Sequence, residues 1–182
     1  MSDSRAATGH YTRTAVTLHW LVAILIIAAF MMGVTMVDMS ISPTKVKLFN
    51  YHKWLGVTVL ALAAMRLIWR LMNAAPAMLP MPAWQRFAAH GLHILLYFVM
   101  FAQPLSGWIY SNAVGYPIVY LGLVPLPTLV AKSKELAAFW LSVHQLLGNL
   151  LFVAVIIHVL AALKHQFFDK DGTLKRMFTW RA

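Results

Sequence analysis

The sequence predicts an all-α integral membrane protein, a bundle of four transmembrane helices forming a single domain. Of its 182 residues, 61% are hydrophobic and only 11% are charged, a balance outside the usual range of soluble domains. It also contains four apolar runs, each long enough to cross about 30 Å of hydrocarbon as a helix. These runs cover residues 15–37, 52–71, 88–110 and 137–163.

Composition excludes several classes of function. The absence of cysteine rules out disulfides, thiolate-bound zinc or iron–sulfur centres, and covalent haem attachment through CxxCH. A net charge of +10 could favour nucleic acid, but the basic residues lie between the apolar runs instead of forming one face. Headgroup attraction and topology control explain that distribution better. We therefore expect a lipid environment and no nucleic-acid partner.

The segments around the four runs carry their own signals. The first run is too long for the apolar region of a signal peptide and has no Ala-x-Ala-like cleavage site after it, which predicts a retained helix. Pro104 predicts a kink in the third run. The connection from Ser111 to Leu136 is apolar but broken by three prolines, which predicts an interfacial segment. Whether it covers a cofactor at that end of the bundle stays open. The tail, residues 164–182, mixes basic and aromatic residues and is also predicted to be interfacial.

Lysine and arginine counts predict the orientation of the bundle. One set of span ends has more basic residues and all of the arginines, and both termini belong to that set. Because cytoplasmic ends carry the excess of basic residues, we expect both termini to be cytoplasmic. The level near that face is called inner below, and the opposite level outer.

Four histidines sort into two levels under this topology. His52 and His144 lie at the outer level and form the outer pair, whereas His19 and His158 lie at the inner level and form the inner pair. Fourteen residues separate His144 from His158, which is roughly 21 Å along a helix axis. Their side chains point to nearly the same side of that helix.

This arrangement indicates two stacked cofactors. Intramembrane ionisable residues are usually functional, and a haem iron has two axial positions that accept imidazole nitrogen. Zinc or copper would need three or four ligands, and each level offers only two. Gly56 and Gly148 each follow an outer histidine by four residues, and Gly33 lies near the outer level. Those glycines could let a porphyrin approach the backbone or could simply be small residues at helix contacts.

The motifs TLHW at His19, YHKWLG at His52 and AHGLH at residues 89–93 join the fourteen-residue gap to form a recognisable pattern. In these features the chain resembles the bacterial cytochrome b561 family of di-haem integral membrane cytochromes over nearly its whole length. The resemblance implies two haem b groups in the bacterial inner membrane, with the inner and outer pairs as iron ligands. Cytochrome b subunits of membrane-bound hydrogenases and formate dehydrogenases are similar in layout.

Further residues are candidates for supporting roles. His165 lies seven residues, about two turns, beyond His158 and could be a protonatable partner for a quinone carbonyl, or a histidine extended toward the surface. Arg66 could pair with haem propionates or act only as a topology signal. His90 and His93 could contact a propionate or quinone, or replace an axial ligand, but could equally be an interfacial pair. Their roles stay open.

The outer lysines suggest a substrate. Lys132 and Lys134 belong to a basic surplus that could steer a small anion toward the outer level, although a solvated loop face would look the same. Some members of the family are superoxide oxidases, so the resemblance implies superoxide as electron donor and ubiquinone as acceptor. Two alternatives stand beside this: an electron-relay subunit docked to a dehydrogenase or hydrogenase-type complex, and a haem-free metal or proton transporter. The face that binds quinone, the haem potentials and the oligomeric state are open.

Overall fold

The computed structural model describes residues 10–77 and 79–178. Within these residues, four helices are long and apolar enough to cross a membrane, which confirms the predicted helical fold and makes the chain a multi-pass membrane protein. The helices are α1 (Arg13–Val37), α2 (Pro43–Met72), α3 (Ala83–Val114) and α4 (Lys134–Lys164). Successive helices pack against each other.

All four helices begin earlier than their apolar runs indicate, most clearly α2. The connection before α2 was predicted to run to residue 51, but the helix already begins at Pro43, where Ser42 accepts a hydrogen bond from the Lys45 amide. An N-cap serine followed by proline is a strong helix start, and hydropathy alone does not register it. His52 consequently lies more than two turns inside α2 instead of at its start. Likewise, α3 begins at Ala83 after Pro82, and α4 begins after its N-cap Ser133.

The connection between α3 and α4, predicted to be an interfacial segment, folds into a cap that contains a two-stranded hairpin. After α3 ends at Gly115, whose φ of 96° suits glycine, strands β1 (Val119–Tyr120) and β2 (Val124–Pro125) pair antiparallel. The cap is fastened to α2, because the Trp54 indole donates to Val119 O at 2.7 Å and Thr58 and Tyr120 share a hydroxyl hydrogen bond of 2.9 Å. This hairpin therefore covers the end of the bundle where α2 begins.

The cap is also fastened to α3. The Asn112 side chain accepts from the Leu129 amide at 2.8 Å, and the Trp108 indole donates to Pro127 O at 3.1 Å. Asn112 is 3% exposed, and this hydrogen bond satisfies its buried amide oxygen, whereas Nδ2 has no partner among the described residues. Leu123, near the hairpin tip, is 80% exposed. An apolar tip on an otherwise bonded loop agrees with an interfacial position.

The tail continues from α4 as a π-helical turn (His165–Asp169) and then a 3₁₀ turn (Lys175–Met177). It folds back onto the bundle, since the Trp20 indole donates to Met177 O at 2.8 Å. Residues 179–182 of the predicted interfacial tail lie outside the described residues, as do residues 1–9. The side of the membrane on which the termini lie therefore stays a prediction.

The packed interior lies between the two histidine levels. Val22, Ala63 and Met100 from three different helices are nearly fully buried together, with Tyr97 and Phe101 against them. The rings of Phe30 and Phe152 stack at 4.7 Å and join α1 to α4. Many other large apolar side chains point outward, as expected where the surrounding solvent is lipid. This interior holds the helices that carry the histidines in fixed relative positions.

Candidate functional site

The outer pair comes together between α2 and α4. The ring centroids of His52 and His144 are 6.2 Å apart, and the ring planes are nearly perpendicular at 88°. Both residues lie well inside their helices, so rigid backbone holds them. The two imidazoles predicted to share the outer level do face each other across the bundle.

The Nδ1 atom of each outer histidine is hydrogen-bonded to a backbone carbonyl of a neighbouring helix. His52 Nδ1 lies 2.9 Å from Ala29 O, and His144 Nδ1 lies 3.0 Å from Gln103 O. A carbonyl can only accept, so Nδ1 carries the proton in both rings. That tautomer puts a lone pair on Nε2 of each ring, as in metal sites where the second ring nitrogen donates to a carbonyl. At His144 this nitrogen lies 3.3 Å from the Gln103 side-chain nitrogen, which would have to move aside for a metal.

Glycine makes both of these approaches possible. A Cβ on Gly33 would lie 3.3 Å from His52 Cε1, and a Cβ on Gly107 would lie only 2.8 Å from His144 Cε1. In each case the glycine stands four residues after the accepting carbonyl, one turn along the same helix face. The outer histidines therefore sit on matching surfaces of α1 and α3, each made of a carbonyl and a glycine.

Gly56 and Gly148, the two glycines that follow the outer histidines by four residues, have different neighbours. A Cβ on Gly56 would meet Pro104 at 3.9 Å, and a Cβ on Gly148 would meet Gln103 Nε2 at 3.2 Å. Both therefore face α3. Gly148 leaves room for the Gln103 side chain, whereas Gly56 lies at an ordinary helix contact.

The inner level brings together three histidines where two were predicted. The ring centroids of His19 and His158 are 6.1 Å apart, and those of His93 and His158 are 5.5 Å apart. His19 Nδ1 is buried and has no hydrogen-bond partner among the described residues. The inner pair therefore lacks the carbonyl contacts that orient the outer pair. His90 and His93 are both exposed, but within the described residues only His93 has a ring contact with His158.

A cleft with two guanidinium groups adjoins the inner level. Arg66 and Arg70 line it together with Trp69 and Asn73, and Arg66 lies over the Tyr97 ring at 5.6 Å. Within the described residues no carboxylate lies within ion-pair distance of Arg66. A half-buried guanidinium without an acidic partner is suited to bind an anionic group.

His165 lies at the end of α4 among carboxylates. Its Nδ1 is 2.6 Å from an Asp171 oxygen and 3.1 Å from an Asp169 oxygen, which also pairs with Lys164 at 2.6 Å. Partial burial alone would raise the pKa of Asp171, but hydrogen bonds from Thr173 and His165 hold it below the usual carboxyl value. Asp171 thus stays ionised and accepts from His165 Nδ1, which leaves Nε2 as the ring nitrogen for proton exchange with another group.

The predicted anion-steering lysines lie beside the cap. Lys132 and Lys134 are exposed, and the Lys132 stem packs against Gly115 at the end of α3. Lys45, from the same basic surplus, instead donates to the Val37 and Met39 carbonyls after α1. Lys45 therefore stabilises the end of α1, whereas Lys132 and Lys134, like Lys47, remain exposed charges.

Sequence reasoning missed the contribution of α3 to the outer pair. Gln103, Ser106 and Gly107 all contact His144 or its neighbours, although α3 carries no histidine at that level. The available signal was two polar residues in the middle of an apolar run, where polar side chains are usually placed for a reason.

Comparison with known proteins agrees with a bundle of this kind. The family described as prokaryotic cytochrome b561 matches residues 10–180. Cytochrome b561 homolog 2 of Escherichia coli (strain K12) is 34% identical, covering 92% of this chain and 90% of that protein. Cytochrome b561 homolog 1 of the same organism is 29% identical over 94% of this chain and 98% of its own length. A Yersinia pestis protein named probable superoxide oxidase CybB is 28% identical over 92% of this chain and 94% of its own length.

Membrane-embedded histidine pairs on a helical bundle define a class of membrane electron-transfer proteins. Within that class the chain belongs to the prokaryotic cytochrome b561 family. The family implies haem b as cofactor and confirms the resemblance drawn from the histidine motifs.

The residues present fit haem. An iron bound by two facing imidazole nitrogens at about 2 Å each places the ring centroids about 6 Å apart. The separations of 6.2 Å in the outer pair and 6.1 Å in the inner pair agree with that requirement. The outer tautomers and the unpartnered inner nitrogen provide donors of the right chemistry.

Proposed function

We propose that this chain is a di-haem b cytochrome of the bacterial inner membrane, with both termini cytoplasmic. His52 and His144 would hold the outer haem, and His19 and His158 the inner one. The single observation that carries this is the occurrence of two close imidazole pairs at two levels of one helix bundle, each with one member on α4. When bound, haem b supplies a one-electron couple at each level.

The protein's own residues would fix the two centres and their spacing. The outer imidazoles are oriented by their Nδ1 hydrogen bonds, and α4 carries one ligand at each level, so its rigid backbone sets the distance between them. Arg66, without a carboxylate partner among the described residues, would bind the inner haem propionates. Gly148 would serve the site indirectly, by giving the Gln103 side chain room beside His144, and Gly56 by letting α2 approach α3.

The most concrete activity is superoxide oxidation coupled to ubiquinone reduction. Two superoxide anions each give up one electron and leave as O₂, while one quinone takes both electrons and two protons and leaves as quinol. Lys132 and Lys134 would attract the anion to the outer face. His165 would protonate a quinone oxygen from the inner side, since Asp171 holds its Nδ1 and leaves Nε2 toward the ligand. The name of the Yersinia relative agrees with this substrate.

The test combines a steady superoxide source with purified protein and a ubiquinone analogue, and follows the haem spectrum in the same cuvette. We expect quinol formation that depends on both superoxide and protein. Full haem content without turnover would leave an electron-relay subunit that needs a partner complex. A protein lacking a b-type α-band would instead be a haem-free transporter.

Replacing Lys132 and Lys134 should slow the reaction only by lowering the rate at which superoxide associates with the protein. Because electrostatic steering changes on-rates and is screened by salt, K132Q/K134Q should lower kcat/KM for superoxide about three- to tenfold at low ionic strength, with the difference vanishing near 0.5 M salt. Rapid-mixing kinetics at several ionic strengths would measure this. Lys170→Gln, at the other end of the bundle, is the matched control; an equal effect of that change would remove the steering role.

A further inference from the structure

Helix α3 carries no outer ligand, yet it surrounds the His144 imidazole. Ser106 Oγ lies 2.9 Å from His144 Nδ1 and 2.7 Å from Gln103 O. The Ser106 hydroxyl donates to that carbonyl and accepts from the imidazole, so the Nδ1 proton is shared between a hydroxyl and a carbonyl oxygen. Ser106 is 1% exposed, so contact with the surface does not account for a polar residue here.

The Gln103 side chain of α3 meets the other edge of the ring. The Gln103 side-chain nitrogen lies 3.3 Å from His144 Nε2, and its Oε1 is buried without a hydrogen-bond partner among the described residues. A buried amide oxygen left unpaired costs free energy, so the position of this side chain is not explained by α3 packing alone. Ser106 and Gln103 together border both nitrogens of one imidazole.

We propose that Ser106 is a positioning residue that fixes the ring and tautomer of His144 and thereby lowers the reduction potential of the outer haem. The inference rests on the proposed function, because it takes His144 as an axial ligand. Hydrogen bonds to the distal ring nitrogen raise the basicity of a metal-bound imidazole. A more basic ligand stabilises the ferric form and lowers the potential, and such hydrogen bonding is one of the known levers on haem.

The inner histidines have no such hydrogen bonds to Nδ1 among the described residues. The reduction potentials of the two haems should therefore differ, with the outer one lower. His19 Nδ1 has no partner among the described residues, and Arg66 is close enough to interact electrostatically with both inner histidines. A nearby positive charge favours the reduced centre. Both differences make the outer centre the stronger reductant, which favours electron movement from the outer level to the inner one.

The experiment is a potentiometric titration of the purified holoprotein carrying Ser106→Ala, with haem content measured in the same preparation. The outer component is assigned by its loss in His144→Ala. Because the Gln103 carbonyl stays as an acceptor, we expect a partial effect: the outer reduction equilibrium shifts about threefold to tenfold toward the ferrous form, where tenfold is about 59 mV for one electron. The inner component of the same molecules should not move, which also reports that the protein is folded.

Two further variants complete the test. Ser106→Thr retains the hydroxyl and should restore the wild-type outer potential, whereas Ser142→Ala removes an exposed hydroxyl of α4 that bonds only its own helix and should change nothing. An unchanged outer potential in Ser106→Ala with both haems present would overturn the inference, as would equal shifts at both centres. A wild-type protein with fewer than two haems would instead refute the proposed function.

Discussion

Replacing His144 or His158 with alanine should each remove one haem and leave the other. Each residue supplies one of the two proposed axial ligands at its level. The haem at the substituted level should therefore bind weakly, while the haem at the other level keeps both imidazoles. The haem-to-protein ratio should fall from two toward one in either variant, with different spectral components lost. Pyridine haemochrome content and reduced-minus-oxidised spectra of the purified proteins would measure this.

Neighbours on the same helix are the controls for these two variants. Gln145→Ala and Val159→Ala change residues with exposed side chains next to the ligands and should keep both haems. If His144→Ala and His158→Ala both retained two haems, the level pairing would be wrong. Loss of both haems together in either variant would mean that the two centres are not held independently.

The inner level needs one more comparison because it contains a third imidazole. His93 lies closer to His158 than His19 does, so proximity alone does not choose the partner of His158. The proposed pairing expects His19→Ala to lose the inner haem and His93→Ala to keep it. The reverse result would make His93 the axial ligand and assign His19 a supporting role.

The sequence predicts the spans and the levels of the histidines well, because both depend on one-dimensional quantities. Hydropathy sets where a helix crosses the membrane, and residue count along each helix sets depth. Those two quantities were sufficient to predict that His52 lies near His144 and His19 near His158, but not that His93 also lies beside His158. They are insensitive to helix starts, where the local chemistry of Ser42 and Pro43 extends α2 well beyond its apolar run.

The surroundings of each imidazole could not be predicted in the same way. Whether His144 meets the Gln103 carbonyl depends on the rotation and closeness of α3, which no spacing in the sequence records. The same holds for the approach of His93 to His158, since a pair spaced by three residues fixes a helix face but not its neighbour. The cap over α2 could not be predicted from the sequence either, because its hydrogen bonds join residues such as Trp54 and Val119 that are far apart in the chain.

Gly107→Ala should selectively weaken the outer haem site. The added Cβ would lie 2.8 Å from His144 Cε1, closer than carbon atoms approach without repulsion, so the ring must leave its position against α3. That movement disturbs the Nδ1 contacts to Ser106 and Gln103 and misaligns Nε2. We expect outer haem occupancy to fall several-fold, with a raised potential in the fraction that remains, as measured by haem content and potentiometric titration.

Gly91→Ala is the matched control for this change, since it lies on the same helix and a Cβ there would meet nothing within 4 Å. Both substitutions make the same gain in helix propensity, so a difference between them reports the contact with His144 and not the backbone. The inner haem should be retained in both variants. Full outer occupancy and an unchanged potential in Gly107→Ala would show that His144 does not depend on this surface of α3 when it binds haem.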